Sequence, residues 1–382
     1  MRINCYAVIV IGATPFPHGG PIEPSQLINR SEELKRLAEV CAGGIDVRLT
    51  APRRYGKSSL LLRLLHDLDG TGLTGVYVDL YAVLTMADLA DRVERAYRSA
   101  LRGPLRNWLD SVLGTLRPTG RIGAGPVGME IGGGVGEPGQ GGLLERLALP
   151  HRIADRTGRT VVVVMDEFQA VLAAGREVDG VIRSEIQRHG EAVSYVFAGS
   201  HPGMMRELFA DRARPFYGQA QPMELGPLPA DEAGEEIARR FQASDRDLGA
   251  ALGPLLDLAR GHPQRLMQMS AHVWAATPEG ATADEETWQE ALNSIDEDTD
   301  DEFQARWEAL GDSERRALSA VAAGLPPTGK LATRTQGAGA SSMQHGLKTL
   351  EEGGEIRREL DRRARWIVVD PLLSRWVSRK RA

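Results

Sequence analysis

Residues 45–68 carry the sequence IDVRLTAPRRYGKSSLLLRLLHDL. Its first five residues are typical of a short extended strand, and residues 51–58 form a turn. Residues 59–69 then place leucines at the three- and four-residue spacing that buries one face of a helix. Gly70 follows where a left-handed C-cap is expected. A strand, a loop with Gly-Lys-Ser and a helix, in this order, predict a phosphate-binding loop.

The predicted loop has the chemistry that phosphate groups require. Backbone N–H groups and the positive end of a helix attract phosphate oxygens, and Gly56 lets the backbone come close. Lys57 is expected to reach the β- and γ-oxygens, and Ser58 to hold Mg²⁺. Ala51 stands where the first glycine is usual, so we expect an altered or slightly strained loop entry. A chance strand–helix corner is the alternative. The nucleotide-binding residues expected in the loop are Pro52, Arg53, Arg54, Tyr55, Gly56, Lys57, Ser58 and Ser59.

A second motif lies at residues 161–167, VVVVMDE. Four consecutive β-branched residues predict a central parallel strand, and ligands bind beyond the carboxyl ends of such strands. We expect Asp166 to hold Mg²⁺, directly or through water, and Glu167 to orient and activate the attacking water. Together with Lys57, Glu167 is therefore a predicted catalytic residue. The alternative is that the two acids cap the next helix.

Further strands are predicted at residues 75–80, 194–198 and 223–225, and their alternation with helices indicates an α/β fold with a parallel sheet. Ser200 follows one of these strands and is our candidate γ-phosphate sensor. His201 is a weaker candidate, and a plain turn is the alternative reading. Residues 118–142 are rich in glycine, and we expect a mobile loop that contains a loose hairpin.

Length and composition limit the class of protein. The chain has 382 residues, 42% hydrophobic and 26% charged, and a formal charge of −6, which disfavours attraction of the whole surface to nucleic acid. Cys5 and Cys41 have no metal or redox spacing, and Cys41 fits a buried helical position. No stretch is long and apolar enough to span a bilayer, so we expect a cytoplasmic protein without a membrane partner.

The second half of the chain changes to an all-helical pattern. Helices are predicted at residues 230–241, 248–259, 264–275 and 287–292, and the acidic stretch 284–302 is interpreted as a solvated face or a flexible link. One more helix is expected around Phe303 and Trp307. From residue 311, three short helices (313–323, 330–335, 341–352), a hairpin (355–369) and a last turn (372–377) indicate a winged helix-turn-helix with a basic tail.

These motifs in this order resemble the archaeal-type ATPase family, grouped with the AAA+ and signal-transduction (STAND) ATPases. The motifs that carry the resemblance are the segments 16–21, 29–30, 52–58, 161–167, 199–200, 217–218, 261–263 and 370–371. The resemblance implies a P-loop NTPase core of the additional-strand, AAA+-like type, followed by a helical lid and a winged-helix domain. The boundaries we expect are a leader or linker at 1–27, the ATPase core at 28–228, the lid at 229–310 and the winged helix at 311–382.

The resemblance also implies site residues. Ile28 and Arg30 would border the adenine of ATP, and His262 and Pro263 would contact the nucleotide from the lid. Gln219 stands where an arginine is expected after Tyr217-Gly218. Arg212 or Arg214 would then supply the arginine finger, and hydrolysis would otherwise be slow.

Several functions remain open at this point. The leading hypothesis is a Mg²⁺-dependent ATPase that acts as a nucleotide-controlled switch with a winged-helix output domain. The alternative is a DNA-binding regulator in which ATP is structural, with residues 341–352 entering the groove and nearby arginines holding phosphates. The winged helix can also serve as a packing module for a protein partner. An inactive scaffold is the least favoured reading, and a homo-oligomer is one of the working forms left open.

Overall fold

The computed structural model describes residues 14–116, 140–175, 177–325, 339–359 and 365–380. The described chain forms two compact units. The sheet unit consists of residues 30–51 and 60–225. The helical unit consists of residues 14–29, 52–59 and 226–380. Each unit has its own hydrophobic cluster.

The sheet unit is built on five parallel strands. Their order is β2-β3-β4-β1-β5, so two strands lie between β1 and β2. All six residues of β3 are buried, as the β-branched run predicts for a central strand. The predicted parallel sheet is therefore confirmed. The strands are β1 Val47–Thr50, β2 Thr74–Asp79, β3 Val161–Asp166, β4 Val193–Gly199 and β5 Gln221–Glu224.

Helices connect and flank the strands of the sheet unit. Helix α2 follows the predicted leucine pattern, and Gly70 after it has φ +83°, as expected of a left-handed C-cap. Cys41 is fully buried in α1, and burial raises the pKa of its thiol to about 11. The helices are α1 Ser31–Ala42, α2 Lys57–Leu68, α3 Met86–Ala100, α4 Gly103–Leu116, α5 Gln140–Leu147, α6 Leu149–Thr157, α7 Val178–Ile186 and α8 Pro202–Ala210.

The described residues correct one local expectation in the sheet unit. Helix α3 ends at Ala100, and a separate helix, α4, begins at Gly103 with a left-handed φ of +55°. Residues 140–142, assigned to the glycine-rich loop, form the first turn of α5, where Leu143 and Leu147 are buried. Burial of those leucines offsets the entropy that the glycines lose on ordering. The remaining loop residues, and both strands of the expected hairpin, lie outside the described residues.

Four phenylalanines pack together behind the carboxyl end of β3. Phe168, Phe197, Phe209 and Phe216 have ring centroids between 4.7 and 5.9 Å apart. Phe168 follows Glu167 directly and is fully buried. The aromatic cluster therefore fixes the backbone immediately after the two acidic residues.

The helical unit contains seven described helices and one antiparallel hairpin. Its hydrophobic cluster includes residues from both the expected lid and the expected C-terminal module, such as Phe241, Phe303 and Trp376. The boundary between these two segments remains a prediction. The elements are α9 Ala230–Gln242, α10 Leu252–Ala259, α11 Pro263–Ala276, α12 Glu285–Ala309, α13 Asp312–Ala322, α14 Ala340–Gly353, β6 Ile356–Glu359, β7 Arg365–Val368 and α15 Pro371–Lys380.

The acidic stretch 284–302 is not a flexible link. It belongs to α12, a single helix of 25 residues that also includes Phe303 and Trp307. Asp284 and Thr287 form a capping box at its start, and Trp288, Leu292 and Ile295 are buried on its inner face. The apolar residues at helical spacing outweigh the repulsion between acidic side chains on the outer face.

The C-terminal segment follows the predicted order of helix and hairpin. Ile356 pairs with Val368 and Glu359 with Arg365 in the antiparallel register of β6 and β7. A side chain at Gly346 would lie 2.3 Å from the backbone oxygen of Ser313, so glycine permits the close approach of α13 and α14. The expected last turn at 372–377 is part of the longer helix α15. The helix predicted at 330–335 and the hairpin tip lie outside the described residues.

Candidate functional site

The loop after β1 has backbone features of a phosphate-binding loop. Gly56 has φ +80° and Arg54 has φ +67°, whereas Ala51 is not in the left-handed region. The expected strain at Ala51 is therefore absent, because the tight turn is made later in the loop. Ala51 N donates a hydrogen bond to Gly199 O at 3.3 Å, which holds the loop entry against the end of β4. Helix α2 starts at Lys57, as phosphate binding at its N-terminus requires.

Three strand ends meet at one edge of the sheet. Thr50, at the end of β1, pairs with Gly199 of β4, and Met165 of β3 pairs with Phe197 of β4. All three strands are parallel, so their carboxyl ends lie at the same edge with β4 in the middle. The loop entry at Ala51, the acids after β3 and Ser200 after β4 therefore share this edge.

The two acidic residues are held in defined positions. Asp166 Oδ2 accepts a hydrogen bond from the Tyr77 hydroxyl at 2.6 Å, and Asp166 Oδ1 accepts one from Glu167 N at 2.9 Å. Glu167 Oε2 accepts a hydrogen bond from Ser200 Oγ at 2.8 Å and a short one from the Gln169 side-chain amide. The structure thus brings Asp166, Glu167 and Ser200 together at the carboxyl ends of β3 and β4, and their roles at a nucleotide stay predictions.

The acids do not cap a following helix. The segment after Glu167 is a 3₁₀ turn, Phe168–Ala173, with no side-chain hydrogen bond at its N-cap. Glu167 itself has φ +54°, a left-handed conformation that is costly for a non-glycine residue and is often found at functional sites. Ser200 is likewise more than a turn residue, because its hydroxyl contacts the Glu167 carboxylate.

Two residues of this cluster were missed by sequence reasoning. Tyr77 lies on β2 opposite Val164. Residues two apart in a strand face the same side, so the position of Tyr77 two residues before Asp79 was the only local signal for the direction of its side chain. Gln169 is buried, and its Oε1 has no hydrogen-bond partner in the described part of the chain. A side chain at Gly199 would lie 2.5 Å from that oxygen, so glycine leaves room for the Gln169 amide.

The rest of the loop belongs to the helical unit and contacts the predicted lid motif there. The Tyr55 ring lies 4.9 Å from the His262 ring in an edge-to-face contact, and Arg54 Nη1 lies 2.7 Å from Glu302 Oε1. Ser59 Oγ accepts a hydrogen bond from Ile22 N at 3.1 Å. The loop residues and the Gly261-His262-Pro263 motif are therefore neighbours within this unit, and contact of the motif with a nucleotide stays a prediction.

His262 occupies the N-cap of α11, with Pro263 at the first helical position. Its Nδ1 accepts a hydrogen bond from Arg265 N at 3.3 Å, which requires the neutral ring. Burial lowers the pKa of His262 to about 4, although Asp370 nearby acts in the opposite direction. A neutral imidazole beside Tyr55 therefore faces the loop at physiological pH.

The segment expected to border adenine has an unusual backbone. Asn29 and Arg30 have φ +53° and +77°, and Arg30 rather than Asn29 is the N-cap of α1, without a side-chain cap. The left-handed turn at these two residues places the start of α1 at Ser31. Arg30 Nη1 pairs with Glu33 at 2.7 Å, and Ile28 belongs to the hydrophobic cluster of the helical unit. Contact of Ile28 and Arg30 with adenine stays a prediction.

The two arginine-finger candidates differ in their contacts with carboxylates. Arg214 pairs with Asp179 at 3.4 Å and with Glu207, both in the sheet unit. Arg212 is exposed, and its side chain makes no ion pair or hydrogen bond with the described residues. Gln219 Oε1 accepts a hydrogen bond from Arg183 Nη2 at 3.0 Å, which gives this glutamine a structural role.

The described residues contain no cluster of three or more His, Cys, Asp or Glu side chains arranged to hold a metal ion. A Mg²⁺ bound with nucleotide phosphates needs only one or two protein oxygens, so the absence of such a cluster does not test the predicted roles of Ser58 and Asp166. Among the same residues, no helix combines the length and apolar character needed to cross a membrane.

Five parallel strands in the order β2-β3-β4-β1-β5, with flanking helices and a Gly-Lys-Ser loop after β1, match the AAA+-type P-loop NTPase fold. The structure is similar to the Walker-type ATPase of Pyrococcus abyssi, with a TM-score of 0.69 and 17% identity over 95% of this chain and 99% of that one. It is also similar to the ORC2 protein of Aeropyrum pernix in its ADPNP–ADP complexes, with a TM-score of 0.56 and 14% identity over 96% and 98% of the two chains. No protein-family model and no curated protein matches the sequence.

Proposed function

We propose that this protein is a Mg²⁺-dependent ATPase that acts as a nucleotide-controlled switch. The observation that carries the proposal is the Ser200–Glu167 hydrogen bond of 2.8 Å at the sheet edge where β1 leads into the phosphate-binding loop. A glutamate held by a polar residue after the neighbouring strand is suited to orient a water molecule. Similarity to structures named as an ATPase and as ADPNP and ADP complexes supports ATP as the nucleotide.

Each residue of the proposed site has a separate role. Loop amides of residues 52–59 and Lys57 bind the phosphates, and Ser58 and Asp166 hold Mg²⁺, which neutralises phosphate charge when bound. These residues fit the metal, because a hydroxyl and a carboxylate both supply the hard oxygen donors that Mg²⁺ prefers. Glu167 accepts the proton of the attacking water, and Ser200 and Gln169 keep the carboxylate in place.

The remaining site residues recognise the nucleotide or complete the site. Ile28 and Arg30 border the adenine, and His262 and Pro263 contact the nucleotide from the lid. The neutral state of His262 suits packing against an uncharged base. Arg212 is the favoured arginine finger, because Arg214 already has two carboxylate partners. An arginine supplied to a second copy of the chain would make hydrolysis depend on a homo-oligomer.

The test compares ATP binding with ATP turnover by the purified chain. Glu167→Gln should lower kcat at least about a hundredfold and leave the Kd for MgATP nearly unchanged, since general-base catalysis contributes factors of this size. Lys57→Ala should abolish binding. Glu191→Gln replaces an exposed glutamate of the same unit and serves as the control. Unchanged turnover in Glu167→Gln contradicts the proposed role of Glu167.

A second candidate function is DNA binding by the predicted winged helix. The observation that favours it is a groove of about 480 Å³ between α14 and the hairpin, where the Arg358 guanidinium lies 4.5 Å from the Trp366 ring centroid. The basic side chains of this groove already have acidic neighbours, which weakens phosphate attraction and favours a protein partner. These pairs are Lys348–Glu352, Arg358–Glu351 and Arg365–Glu359.

A duplex titration at two salt concentrations separates these partners. Binding to DNA backbone phosphates should weaken steeply as salt rises, because bound counterions are released. If the chain shows no binding even at low salt, DNA is excluded and the winged helix serves a protein partner or the lid.

A further inference from the structure

We propose that a small pocket of the helical unit binds a phosphate group, either the terminal phosphate of the nucleotide in the loop or a free phosphate. The pocket measures about 240 Å³, and its walls include Tyr55 of the loop, Arg260 before the lid motif, and Arg357 and Arg365 of the hairpin. The case in which the bound nucleotide supplies this phosphate rests on the proposed ATP binding. The pocket joins three segments that are far apart in the chain.

The charge of the pocket is positive and only partly compensated. Three arginines line it against one carboxylate, Glu359, which already lies 2.8 Å from Arg365 Nε. Arg357 Nε is buried and has no hydrogen-bond partner within the described ranges. A buried guanidinium nitrogen without a partner is unfavourable, and an anion with several acceptor oxygens satisfies it. The pocket therefore selects a compact anion rich in oxygen.

The backbone conformation of Arg260 is a second, independent observation that supports an anion site in this pocket. Arg260 caps α10 with φ +47°, a left-handed conformation that favours glycine or asparagine. The next residue, Gly261, is constrained differently, since a side chain there would lie 2.4 Å from Leu228 O. An arginine at a position where glycine would relieve backbone strain points to a use for its side chain. That side chain lines the pocket and makes no ion pair with the described residues.

The size and position of the pocket narrow the ligand class. Sites for whole small molecules are about 300–1,000 Å³, so a pocket of about 240 Å³ suits a phosphate rather than a complete nucleotide. Tyr55 directly precedes Gly56 and Lys57, which are the residues proposed to bind phosphates. A phosphate in this pocket therefore lies beside the loop and contacts both the lid and the hairpin.

The same strand provides a matched control for Arg357. Successive side chains of a strand point to opposite faces, and Arg358 accordingly lines the other groove, where it packs on Trp366. Arg357→Gln removes the charge from the pocket, and Arg358→Gln removes the same charge one residue away. Arg260→Gly removes the second pocket charge and relieves the left-handed backbone, so this variant should fold.

The experiment measures the Kd of MgATP and of MgADP for these three variants in a Glu167→Gln background, in which ATP persists. If the nucleotide supplies the phosphate, Arg357→Gln and Arg260→Gly weaken MgATP binding about ten- to a hundredfold and change MgADP binding less than about twofold. Arg358→Gln should match its parent. Weaker binding of MgATP with little change in the binding of MgADP supports the proposal and identifies the nucleotide as the source of the phosphate.

A second arm adds millimolar inorganic phosphate to the ADP-bound chain and follows its melting temperature, with chloride at equal ionic strength as the reference. A rise that is lost in Arg357→Gln and kept in Arg358→Gln identifies free phosphate as the ligand. If neither arm distinguishes Arg357→Gln and Arg260→Gly from Arg358→Gln, the proposal is wrong. If the unmodified chain binds no nucleotide, the proposed function fails. The melting temperature of the nucleotide-free chain with added phosphate then still shows whether the pocket binds phosphate.

Discussion

Arg265 and Asp370 form a buried ion pair, although 105 positions separate them in the chain. Arg265 Nη2 lies 2.7 Å from Asp370 Oδ2, and Arg265 Nε lies 3.1 Å from Asp370 Oδ1. The two residues are only 1% and 5% exposed. Burial alone would raise the pKa of Asp370, but the charges of Arg265 and Arg306 and the hydrogen bonds from Arg265 hold it well below its usual range. The pair joins the helix of the lid motif to the start of α15.

The pair belongs to a longer series of ion pairs in the helical unit. Glu302 contacts Arg54 of the phosphate-binding loop at 2.7 Å and Arg265 at 3.3 Å. Arg306 contacts Asp370 at 3.0 Å and Glu355, next to the hairpin, at 2.6 Å. The loop after β1, the helices α11 and α12, and the C-terminal segment are therefore connected through charged side chains.

Removing one member of the buried pair should strongly destabilise the helical unit. Asp370→Asn and Arg265→Met should each lower the free energy of unfolding by about 3 kcal/mol, the low end for a broken buried pair, because Glu302 stays beside Arg265 and Arg306 stays beside Asp370. The double variant should lose less than the sum of the two. Denaturant unfolding measures all three, and Glu352→Gln, at an exposed pair, should change stability by less than about 1 kcal/mol. Additive losses would show that the two side chains do not interact.

His262 should make stability depend on pH. Its pKa is about 4 in the folded chain and about 6.5 when unfolded, so the unfolded chain takes up the proton first as pH falls. The contribution is complete above about pH 6.5 and is lost towards pH 4, amounting to about 3 kcal/mol. His262→Asn keeps an N-cap acceptor without titrating, so it should remove this slope. Exposed His66→Asn is the control, and an unchanged slope in His262→Asn contradicts the assignment.

Asp46 should act in the opposite direction in the sheet unit. Burial raises the pKa of Asp46 to about 6, against the effects of its hydrogen bond from Tyr195 N and the charge of Arg183. The folded chain holds this proton more tightly, so the contribution is present below about pH 4 and is lost as pH rises through 6. Asp46→Asn should therefore stabilise the chain at pH 7 by about 2 kcal/mol, allowing for partial exposure.

The measurement for Asp46 is unfolding at pH 4 and pH 7. The side-chain oxygen of the asparagine in Asp46→Asn can still accept the hydrogen bond from Tyr195 N, observed at 2.8 Å, so the gain should appear only at the higher pH. Asp69→Asn, at an exposed aspartate, is the comparison. An equal effect of Asp46→Asn at both pH values would mean that titration is not the cause.

Ser200 should affect turnover more than binding. Its hydroxyl holds the Glu167 carboxylate at 2.8 Å, and the Gln169 side-chain amide donates to the same oxygen. Ser200→Ala should lower kcat for ATP at least about tenfold and change the Kd for MgATP less than about twofold, because misplacing a base affects the reaction rather than the ground state. Ser184→Ala, at an exposed serine, should be neutral. A loss of affinity equal to the loss of turnover would assign Ser200 to binding.

Substitution of Arg212 should affect catalysis, whereas substitution of Arg214 should affect stability. Arg212→Ala should lower turnover by orders of magnitude without loss of stability, because its side chain has no ion pair with described residues. Arg214→Ala should instead reduce the free energy of unfolding, since it leaves the buried Asp179 without its partner. If the finger acts between copies, specific activity rises with protein concentration and inactive Arg212→Ala is rescued by mixing with Lys57→Ala. Full activity of Arg212→Ala rules out this residue as the finger.

The elements that follow from local pattern were predictable. The leucine spacing of α2, the β-branched run of β3 and the alternation of strands and helices led to the parallel sheet, because helical and strand periods are written in consecutive residues. The acidic stretch 284–302 was misinterpreted because its charge was given more weight than its apolar residues. Trp288 and Ile295 lie within this stretch and are buried in α12, so the acidic side chains occupy the other face of a packed helix.

Local sequence pattern was enough to predict the loop after β1, the Asp166-Glu167 motif and the candidate Ser200, since each lies at the end of a strand that its own residues specify. Folding was needed to show that Tyr77 and Gln169 hold those acids, that Arg265 pairs with Asp370, and that Arg260 and Arg357 line one pocket. The physical reason is that side-chain contacts between distant segments depend on strand order and helix packing. Those arise from the burial of many side chains together, and no short stretch of sequence records the result.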